Sequence, residues 1–363
     1  MTDPPQQQGK TLPTPTPTPT PMTTAPLLLS GVPGSPYTRK MVALLRYRRI
    51  AYRLVPTAHG VPGLAQSKPP LLPTFYLPGG DGSLQPVTDS TPLIRRFDAE
   101  FADRCVVPPT PALAFIDALL EDFADEWLTK AMFHYRWTYA ADIAKAGPVL
   151  ASWFGTPMDD PTLEQYAAMV AGRQIPRLRY VGSNPSTQPV IEAGYLRVLQ
   201  LLEDHLRSHR YLMGARPGAS DFAFYGQLTQ LVQFDPTPMA LAATRAPRVC
   251  GWVALCEDLS GTEVQGSDWL DATALPATVL ALLGEVGRLY VPLLLANAQA
   301  LADGQTELRT TVDGQPWEQQ AFPYQAKCLA WLRRDYAALD AAARGVVDHA
   351  LAGTGCAPLF VGL

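Results

Sequence analysis

The stretch "LLLSGVPGSPYTRKMVALL", residues 27–45, decides the fold of the first part of the chain. It reads as a short apolar strand, a loop rich in glycine and proline, and an amphipathic helix. Pro36 suits the first turn of that helix because proline has no N–H to leave unpaired, and this makes Ser35 the residue that caps the helix. A strand that enters a helix through such a turn predicts a small α/β layer.

The segment Ser35-Pro36-Tyr37-Thr38 stands where a thiol–disulfide enzyme would carry Cys-Pro-Tyr-Cys. Disulfide exchange needs an attacking and a resolving thiol, so this segment cannot catalyse it. Helix capping is sufficient to explain a serine at position 35. The same hydroxyl can also donate a hydrogen bond to an anion bound outside the helix, and this segment alone leaves both interpretations open.

Composition excludes several classes of function. The 363 residues carry a formal charge of −4, which leaves no positive surplus for binding nucleic acid. The five cysteines are scattered and form no CxxC pair, so a disulfide scaffold or structural zinc is not expected, and a reducing cytoplasm fits best. The sequence contains no run of 18 apolar residues, so no membrane-spanning segment is predicted.

The sequence pattern divides the chain into four parts. Residues 1–26, with alternating Thr and Pro and no apolar core of a secretory signal, are predicted to be a disordered tail. Residues 27–104 alternate short strands with helices, whereas residues 111–262 show only helical periods. Residues 263–363 are expected to add at least two more helices, the first kinked at Pro292. The predicted fold class is therefore an α/β layer followed by an all-α region.

The predicted long helix that begins near residue 111 has an apolar stripe at spacings of three and four. Its acidic residues are interpreted as an exposed polar face and not as metal ligands: Asp117, Glu121, Asp122, Asp125 and Glu126. His205 and His209 lie four positions apart, as two metal ligands would, but they are interpreted as part of a solvated helix face. No metal site is predicted.

Two segments downstream of Ser35 are candidates for ligand binding. "LLPTFYL" places Pro73 directly before a strand, where a cis peptide bond would turn the Leu72 backbone toward Ser35, although a trans proline is commoner at a strand start. "VTDSTPLI" places Asp89 and Ser90 at a helix start. There a carboxylate can be received by Ser90 and an ammonium group by Asp89, although for this motif taken singly a plain helix cap is the favoured explanation.

Together these three segments, in this order, resemble the thioredoxin-like N-terminal domain of glutathione transferases. The resemblance is to the bacterial-like branch that uses serine or cysteine in place of tyrosine. Further along, "RYLMGARPGASDFAFYGQL" is similar to the stretch in which a buried aspartate opens the core helix of the family's helical domain. In that stretch the family usually has Ser or Thr three positions before the aspartate, whereas this chain has Gly218 before Asp221. The extension after residue 262 lies outside the usual family length.

The resemblance implies a role for each matching residue. Ser35 would hold the thiolate of glutathione, Leu72 with Pro73 would bind its cysteinyl backbone, and Asp89 with Ser90 would bind its γ-glutamyl end. The electrophile pocket would be lined by Pro33, Tyr37, Phe133 and His134. The family also implies a homodimer, a role in detoxification, and no metal.

The resulting functional hypothesis is a cytoplasmic enzyme that activates the thiol of glutathione for attack on a small electrophile. Two alternatives remain open. The chain could keep the fold without the chemistry and work as a binding or scaffold protein, which the proline tail, the extension and Gly218 mildly favour. It could also use the same site for glutathione-dependent reduction, dehalogenation or isomerisation.

Overall fold

The computed structural model describes residues 25–153, 155 and 157–361, so nearly all of the tail predicted for residues 1–26 lies outside the described residues. The first part of the fold alternates strands and helices, as the sequence predicts. In chain order its elements are β1 (Leu27–Gly31), α1 (Pro36–Tyr47), β2 (Tyr52–Pro56), β3 (Thr74–Pro78), β4 (Leu84–Val87) and α2 (Ser90–Glu100).

The four strands form one mixed sheet in the order β2-β1-β3-β4. β1 runs parallel to β2, with Leu29 opposite Leu54, and antiparallel to β3, with Leu29 opposite Phe75. Leu29 and Phe75 are fully buried, because the sheet packs its apolar face against helices. This is the thioredoxin-like α/β domain that the sequence predicts. Its strand order brings the end of β1 beside the start of β3.

A helical region follows, and two of its helices lie outside the segments for which the sequence predicts helix, namely the long helix from residue 111 and the segments at about 161–173, 188–208, 219–233 and 247–259. These are α5 and α9, which contain Pro148 and Pro236 respectively. The elements are α3 (Pro111–Phe123), a π-helical turn (Ala124–Leu128), α4 (Thr129–Thr138), α5 (Ala140–Ser152), α6 (Asp160–Gln174), a 3-10 segment (Ile175–Val181), α7 (Gln188–His205), α8 (Ala219–Leu228), a π-helical turn (Thr229–Phe234), α9 (Pro236–Arg245) and α10 (Pro247–Leu255).

The last part of the chain is not purely helical, which corrects the prediction for residues 263–363. Its elements are two short 3-10 turns (Gly266–Asp268, Ala272–Ala274), α11 (Ala277–Glu285), a π-helical turn (Val286–Tyr290), α12 (Val291–Ala302), β5 (Glu307–Val312), β6 (Gln315–Gln320), α13 (Pro323–Ala337), α14 (Ala341–Leu351) and a 3-10 turn (Ala357–Phe360). The π-helical turn lies directly before Pro292, where the sequence predicted a kink.

The missed hairpin has a clear local cause. Asp313 and Gly314 both have positive φ, 51° and 72°, and they join the antiparallel strands β5 and β6. A two-residue Asp-Gly loop with this backbone is the strongest short-range signal for a hairpin. The signal was therefore present in the sequence.

The extension is part of the protein core and not an appendage. One hydrophobic cluster contains Leu29 of β1, Leu119 of α3 and Leu289 of the extension. Among the described residues, one helix, Ala277–Ala302, is long and apolar enough to cross a membrane, but 56% of its most apolar window is buried within the protein. This is weak evidence for a span, and the absence of a membrane partner stays a prediction.

Helix α3 is central, because α8, α13 and α14 all pack against it. The acidic residues of α3 and of the π-helical turn after it are therefore not an exposed face, which corrects the sequence interpretation: Asp117, Glu121, Asp125 and Glu126 are all less than a tenth exposed, and Asp122 is partly buried. His205 is also buried, where Thr278 and the Tyr211 carbonyl lie within hydrogen-bonding distance of its ring nitrogens. The described residues contain no group of side chains that could hold a metal ion.

Candidate functional site

Ser35 lies between β1 and α1 and caps the helix. Its Oγ accepts a hydrogen bond from the Thr38 N–H at 3.2 Å, and Pro36 occupies the first turn. The same hydroxyl donates to the Leu72 carbonyl at 3.4 Å. Since the side chain is partly exposed, the hydroxyl can turn from this long hydrogen bond to a ligand without losing its role as a cap.

The Leu72–Pro73 peptide bond is cis, as the resemblance requires. Pro73 is buried directly before β3, and Leu72 is partly exposed beside the Ser35 turn. Within the described part of the chain, no group accepts a hydrogen bond from the Leu72 N–H. The structure thus brings together Ser35, Leu72 and Pro73, and it leaves one backbone donor available to a peptide-like ligand.

Asp89 precedes α2 with an unusual backbone conformation, φ 83° and ψ 107°, and its carboxylate does not cap the helix. A residue other than glycine in such a conformation costs about 1–3 kcal/mol and is often found at functional sites. Both carboxylate oxygens instead face α13 of the extension. The Tyr324 hydroxyl donates to Oδ1 at 3.0 Å, and the Lys327 ammonium lies 3.4 Å from Oδ2.

The neighbouring Ser90 belongs to a buried charge network that the sequence did not reveal. The Lys40 ammonium donates to Ser90 Oγ at 3.1 Å, to Glu121 Oε1 at 2.8 Å and to Asp125 Oδ2 at 2.5 Å. Arg95 adds a second cation on Glu121 at 2.9 Å. This network connects α1 and α2 to the central helix, so the Ser90 hydroxyl already has a donor before any ligand arrives.

Burial and ion pairing shift the pKa values of the groups in this network in opposite directions. Burial alone would raise the pKa of Glu121, but Lys40 and Arg95 lower it to about 2. Burial raises the pKa of Asp125 to about 6, although Lys40 opposes the shift. Burial also opposes the charge on Lys40, yet Asp125 and Glu121 raise its pKa above the usual value. At neutral pH this lysine is therefore a firmly charged ammonium group.

The four residues expected in the electrophile pocket differ in their exposure and in their partners. Pro33 is exposed in the loop before Ser35. Tyr37 donates its hydroxyl to the Asp125 carbonyl at 2.9 Å, and burial raises its pKa well above the usual value. His134 is buried with Ser183 Oγ and Glu192 Oε1 at 2.8 and 3.1 Å from its ring nitrogens. Phe133 is partly exposed and packs on Trp137.

Other residues approach the Ser35 turn more closely. A methyl group added at Gly34 would lie 2.4 Å from both Leu150 and Trp153 of the segment after α4, so the glycine permits their close approach. Arg136 donates to the Gly34 carbonyl, and Gln230 donates to the Pro33 carbonyl, both at 3.1 Å. These four side chains border the turn. No sequence pattern indicated them, because they come from three separate helical segments.

The buried Asp221 is held by backbone donors, since its Oδ1 accepts from Leu212 N–H and its Oδ2 from Gly218 N–H, both at 2.9 Å. The missing cap hydroxyl at position 218 is replaced from another helix. Asp117 of α3 accepts from the N–H groups of Ala219 and Ser220 at 3.1 and 3.0 Å. This borrowed cap explains the departure from the family pattern, because a Cβ at Gly218 would lie 2.5 Å from Asp117 Oδ1.

Replacing Glu126 with glutamine is expected to stabilise the protein increasingly as pH rises. Burial, followed by Asp122 and Asp125, raises the Glu126 pKa from 4.5 to about 8. The folded state therefore keeps a proton that the unfolded state loses above about 4.5, so this residue destabilises the fold as pH rises toward 8. Glutamine removes that penalty, and its amide N–H can donate to Gln325 Oε1, which has no partner among the described residues.

We expect Glu126→Gln to be nearly neutral at pH 5 and to be more stable than the unaltered chain by about 1–3 kcal/mol at pH 7.5, measured by denaturant unfolding. Glu164→Gln on exposed α6 is the control, and we expect little change at either pH. A difference for Glu126→Gln that stays constant from pH 5 to 7.5 would contradict this assignment.

One known protein family matches part of this sequence. Residues 29–105 match the family described as glutathione S-transferase, N-terminal domain. No curated protein matches the chain.

Solved structures similar to this one are glutathione transferases of low sequence identity. One from Pseudomonas putida, with glutathione disulfide bound, is 14% identical and covers 65% of this chain and 88% of its own, at a TM-score of 0.39. One from Pseudomonas fluorescens, with two glutathione molecules bound, is 15% identical and covers 63% and 87% at a TM-score of 0.39. Poplar glutathione transferase F1 is 14% identical and covers 65% and 95%, also at 0.39. By sequence, therefore, it is the segment 29–105, carrying Ser35, Pro73 and Asp89, that matches the glutathione S-transferase N-terminal domain family.

Proposed function

We propose that this protein is a glutathione transferase-like enzyme. It binds glutathione at Ser35, Leu72, Pro73, Asp89 and Ser90, and it activates the thiol for attack on a small electrophile. One observation carries the proposal: a partly exposed Ser35 hydroxyl at a helix N-terminus lies 3.4 Å from the carbonyl of Leu72, on the cis bond to Pro73. The unpaired Leu72 N–H beside it is the donor that a cysteinyl carbonyl would use.

Ser35 would act by stabilising the ionised sulfur. A hydrogen bond to a charged group contributes about 1.5–3 kcal/mol, and a helix N-terminus adds about 0.3–1 kcal/mol. Since one pKa unit is about 1.4 kcal/mol, the pKa of the bound thiol would fall from about 8.5 to roughly 6 or 7. The thiolate sulfur then forms a bond to the electrophilic carbon, and the leaving group departs with its electron pair.

The rest of the reduction of the activation barrier would come from holding the two reactants together. We place the electrophile next to the Ser35 turn, where Leu150 and Trp153 crowd Gly34 and where Phe133 belongs to the same small apolar cluster as Leu150. Pro33 stays a candidate on the exposed side. Tyr37 and His134 have protein partners for their polar atoms, so they would contribute shape and not hydrogen bonds.

The test is conjugation by purified protein with a panel of electrophiles. We expect Ser35→Ala to lower kcat/KM for glutathione about 100-fold, which corresponds to roughly 2.7 kcal/mol of lost thiolate stabilisation. Thr38→Val is the matched control, because Thr38 Oγ1 is buried with no hydrogen-bond partner in the part of the chain that the structure describes, and valine has the same shape. Absence of both glutathione binding and conjugation in the unaltered chain would contradict the proposal.

A second candidate function has a specific observation in its favour. Both oxygens of Asp89 already face Tyr324 and Lys327 of the extension, so the γ-glutamyl end of the site has protein occupants. A binding or scaffold protein that keeps the fold and has lost catalysis would tolerate this arrangement. Glutathione-dependent reduction, dehalogenation or isomerisation would use the same Ser35, and a panel that includes such substrates separates these activities from conjugation.

The proposal includes a cytoplasmic homodimer and a division of the chain into a glutathione-binding domain (27–104), a helical domain (111–262) and an extension (263–363). The shared hydrophobic cluster supports folding of these three parts as one unit.

A further inference from the structure

Helix α13 brings one cation and two aromatic rings to Asp89. The Lys327 ammonium lies 3.4 Å from Asp89 Oδ2, 4.3 Å from the centre of the Trp331 ring and 5.5 Å from the centre of the Tyr324 ring. A carboxylate combined with aromatic faces is an environment that attracts an ammonium group. Lys327 thus places its ammonium in a site of the kind that a ligand amine would need.

The parts of this site differ in how firmly they are held. The Asp89 side chain is only 14% exposed, and the Tyr324 hydroxyl fixes its other oxygen at 3.0 Å. Lys327 is 51% exposed and makes one long contact to the carboxylate. Exposed ion pairs of this kind contribute little to stability, so the lysine can swing into solvent while Asp89, Tyr324 and Trp331 stay in place.

We propose that Asp89, Tyr324 and Trp331 form an ammonium-binding pocket shared between the N-terminal domain and the extension, and that Lys327 occupies it when no ligand is bound. The inference rests on the proposed function, in which the ligand ammonium is the free α-amino group of the γ-glutamyl residue. That group replaces the Lys327 ammonium on Asp89 Oδ2, and two cations do not share the pocket because they repel each other. The extension therefore sets the affinity for thiol ligands that carry a primary amine.

Isothermal titration of the full-length protein with glutathione tests this pocket. We expect Lys327→Met to lower the Kd for glutathione by roughly two- to fivefold, because the internal competitor is gone. The matched control is Arg334→Met, which removes a cation from the same helix where it pairs with Asp335 and not with Asp89. We expect no change in Kd for that control.

A second ligand separates competition from a general change in charge. The analogue of glutathione in which hydrogen replaces the α-amino group has no ammonium to place on Asp89. We expect its Kd to be the same or higher in Lys327→Met than in the unaltered chain. An equal gain in affinity for both ligands would overturn the competition, since the effect would then not depend on the amine.

The remaining outcomes distinguish this inference from the function on which it rests. Glutathione binding that is unchanged or weaker in Lys327→Met, with measurable binding in the unaltered chain, overturns the pocket and leaves the proposed function standing. Binding of glutathione to neither protein overturns both. Binding that is detected only in Lys327→Met supports both, with Lys327 as the group that closes the site.

Discussion

Asp117→Ala is expected to lower the free energy of unfolding by about 3–5 kcal/mol, measured by denaturant unfolding at neutral pH. Its carboxylate accepts hydrogen bonds from the N–H groups of Ala219 and Ser220 and from the Ser220 hydroxyl, at 3.1, 3.0 and 2.6 Å. Alanine would leave the buried Ser220 N–H and hydroxyl without partners at the start of α8, whereas the Ala219 N–H keeps the Val106 carbonyl as an acceptor at 3.0 Å. Because α8 packs on both α1 and α3, the loss would be felt in both domains.

The effect of Gly218→Ser on stability should change sign when Asp117 is replaced by alanine, and this makes the prediction specific. In the unaltered chain, Gly218→Ser should destabilise the fold, because the new Cβ would lie 2.5 Å from Asp117 Oδ1. In the Asp117→Ala background the carboxylate no longer blocks the new Cβ, and the flexible Met213 side chain, whose Cγ would lie 2.9 Å away, can shift into the space that alanine leaves, so that the serine hydroxyl caps α8. There we expect Gly218→Ser to restore about 0.5–2 kcal/mol. The same sign in both backgrounds would contradict the idea of a borrowed cap.

Lys40→Met is expected to cost about 3–5 kcal/mol of stability at neutral pH. The methionine fills the same space but leaves Glu121 and Asp125 without the ammonium that both contact, at 2.8 and 2.5 Å. The loss should shrink as pH falls, because a protonated carboxyl no longer needs a cation. Burial already raises the pKa of Asp125 to about 6, so the change should be visible between pH 7.5 and 5.

The control for Lys40 is Arg39→Met on the same helix. Arg39 pairs with Glu257 in a partly exposed position, where an ion pair contributes about 0–1 kcal/mol. A loss for Lys40→Met that is as small as that of the control, or one that grows toward pH 5, would mean that the buried network does not connect the two domains.

The N-terminal domain could be predicted from sequence almost element by element. Its strands and helices are short, and glycine or proline lies at one end or both ends of β1, α1, β2 and β3, so the local pattern has only one consistent interpretation. The segment that begins at Leu27, the proline at position 73 and the helix start at Ser90 all lie where the pattern placed them. Long-range contacts are not needed to find them.

The acidic residues of α3 and of the π-helical turn after it show where sequence reasoning fails. Asp117, Glu121 and Asp125 follow each other at intervals of four, so they form one stripe on the helix, and a charged stripe normally faces solvent. Here the stripe meets Lys40, Arg95 and the start of α8, which come from distant parts of the chain. Burial of a charge depends on partners that the local pattern does not reveal.

The γ-glutamyl end of the site could not be completed from sequence for the same reason. Asp89 was a candidate from its motif, but Tyr324 is 235 positions away in an extension with no counterpart in the resembling family. The motif identified Asp89 as a candidate binding residue, but it could not show that side chains of the extension already contact its carboxylate. Leu150 and Trp153 beside Gly34 were missed in the same way, because they became neighbours of the Ser35 turn only through folding.

In the proposed function, Ser35 lowers the pKa of a thiol that belongs to the ligand and not to the protein. The most direct measurement is a pH titration of the ultraviolet absorbance of the thiolate in the complex with glutathione, for the unaltered chain and for Ser35→Ala. We expect a thiol pKa of roughly 6 or 7 in the unaltered complex and of about 8.5 in the variant. Bound glutathione whose thiol pKa is the same in both proteins would contradict it.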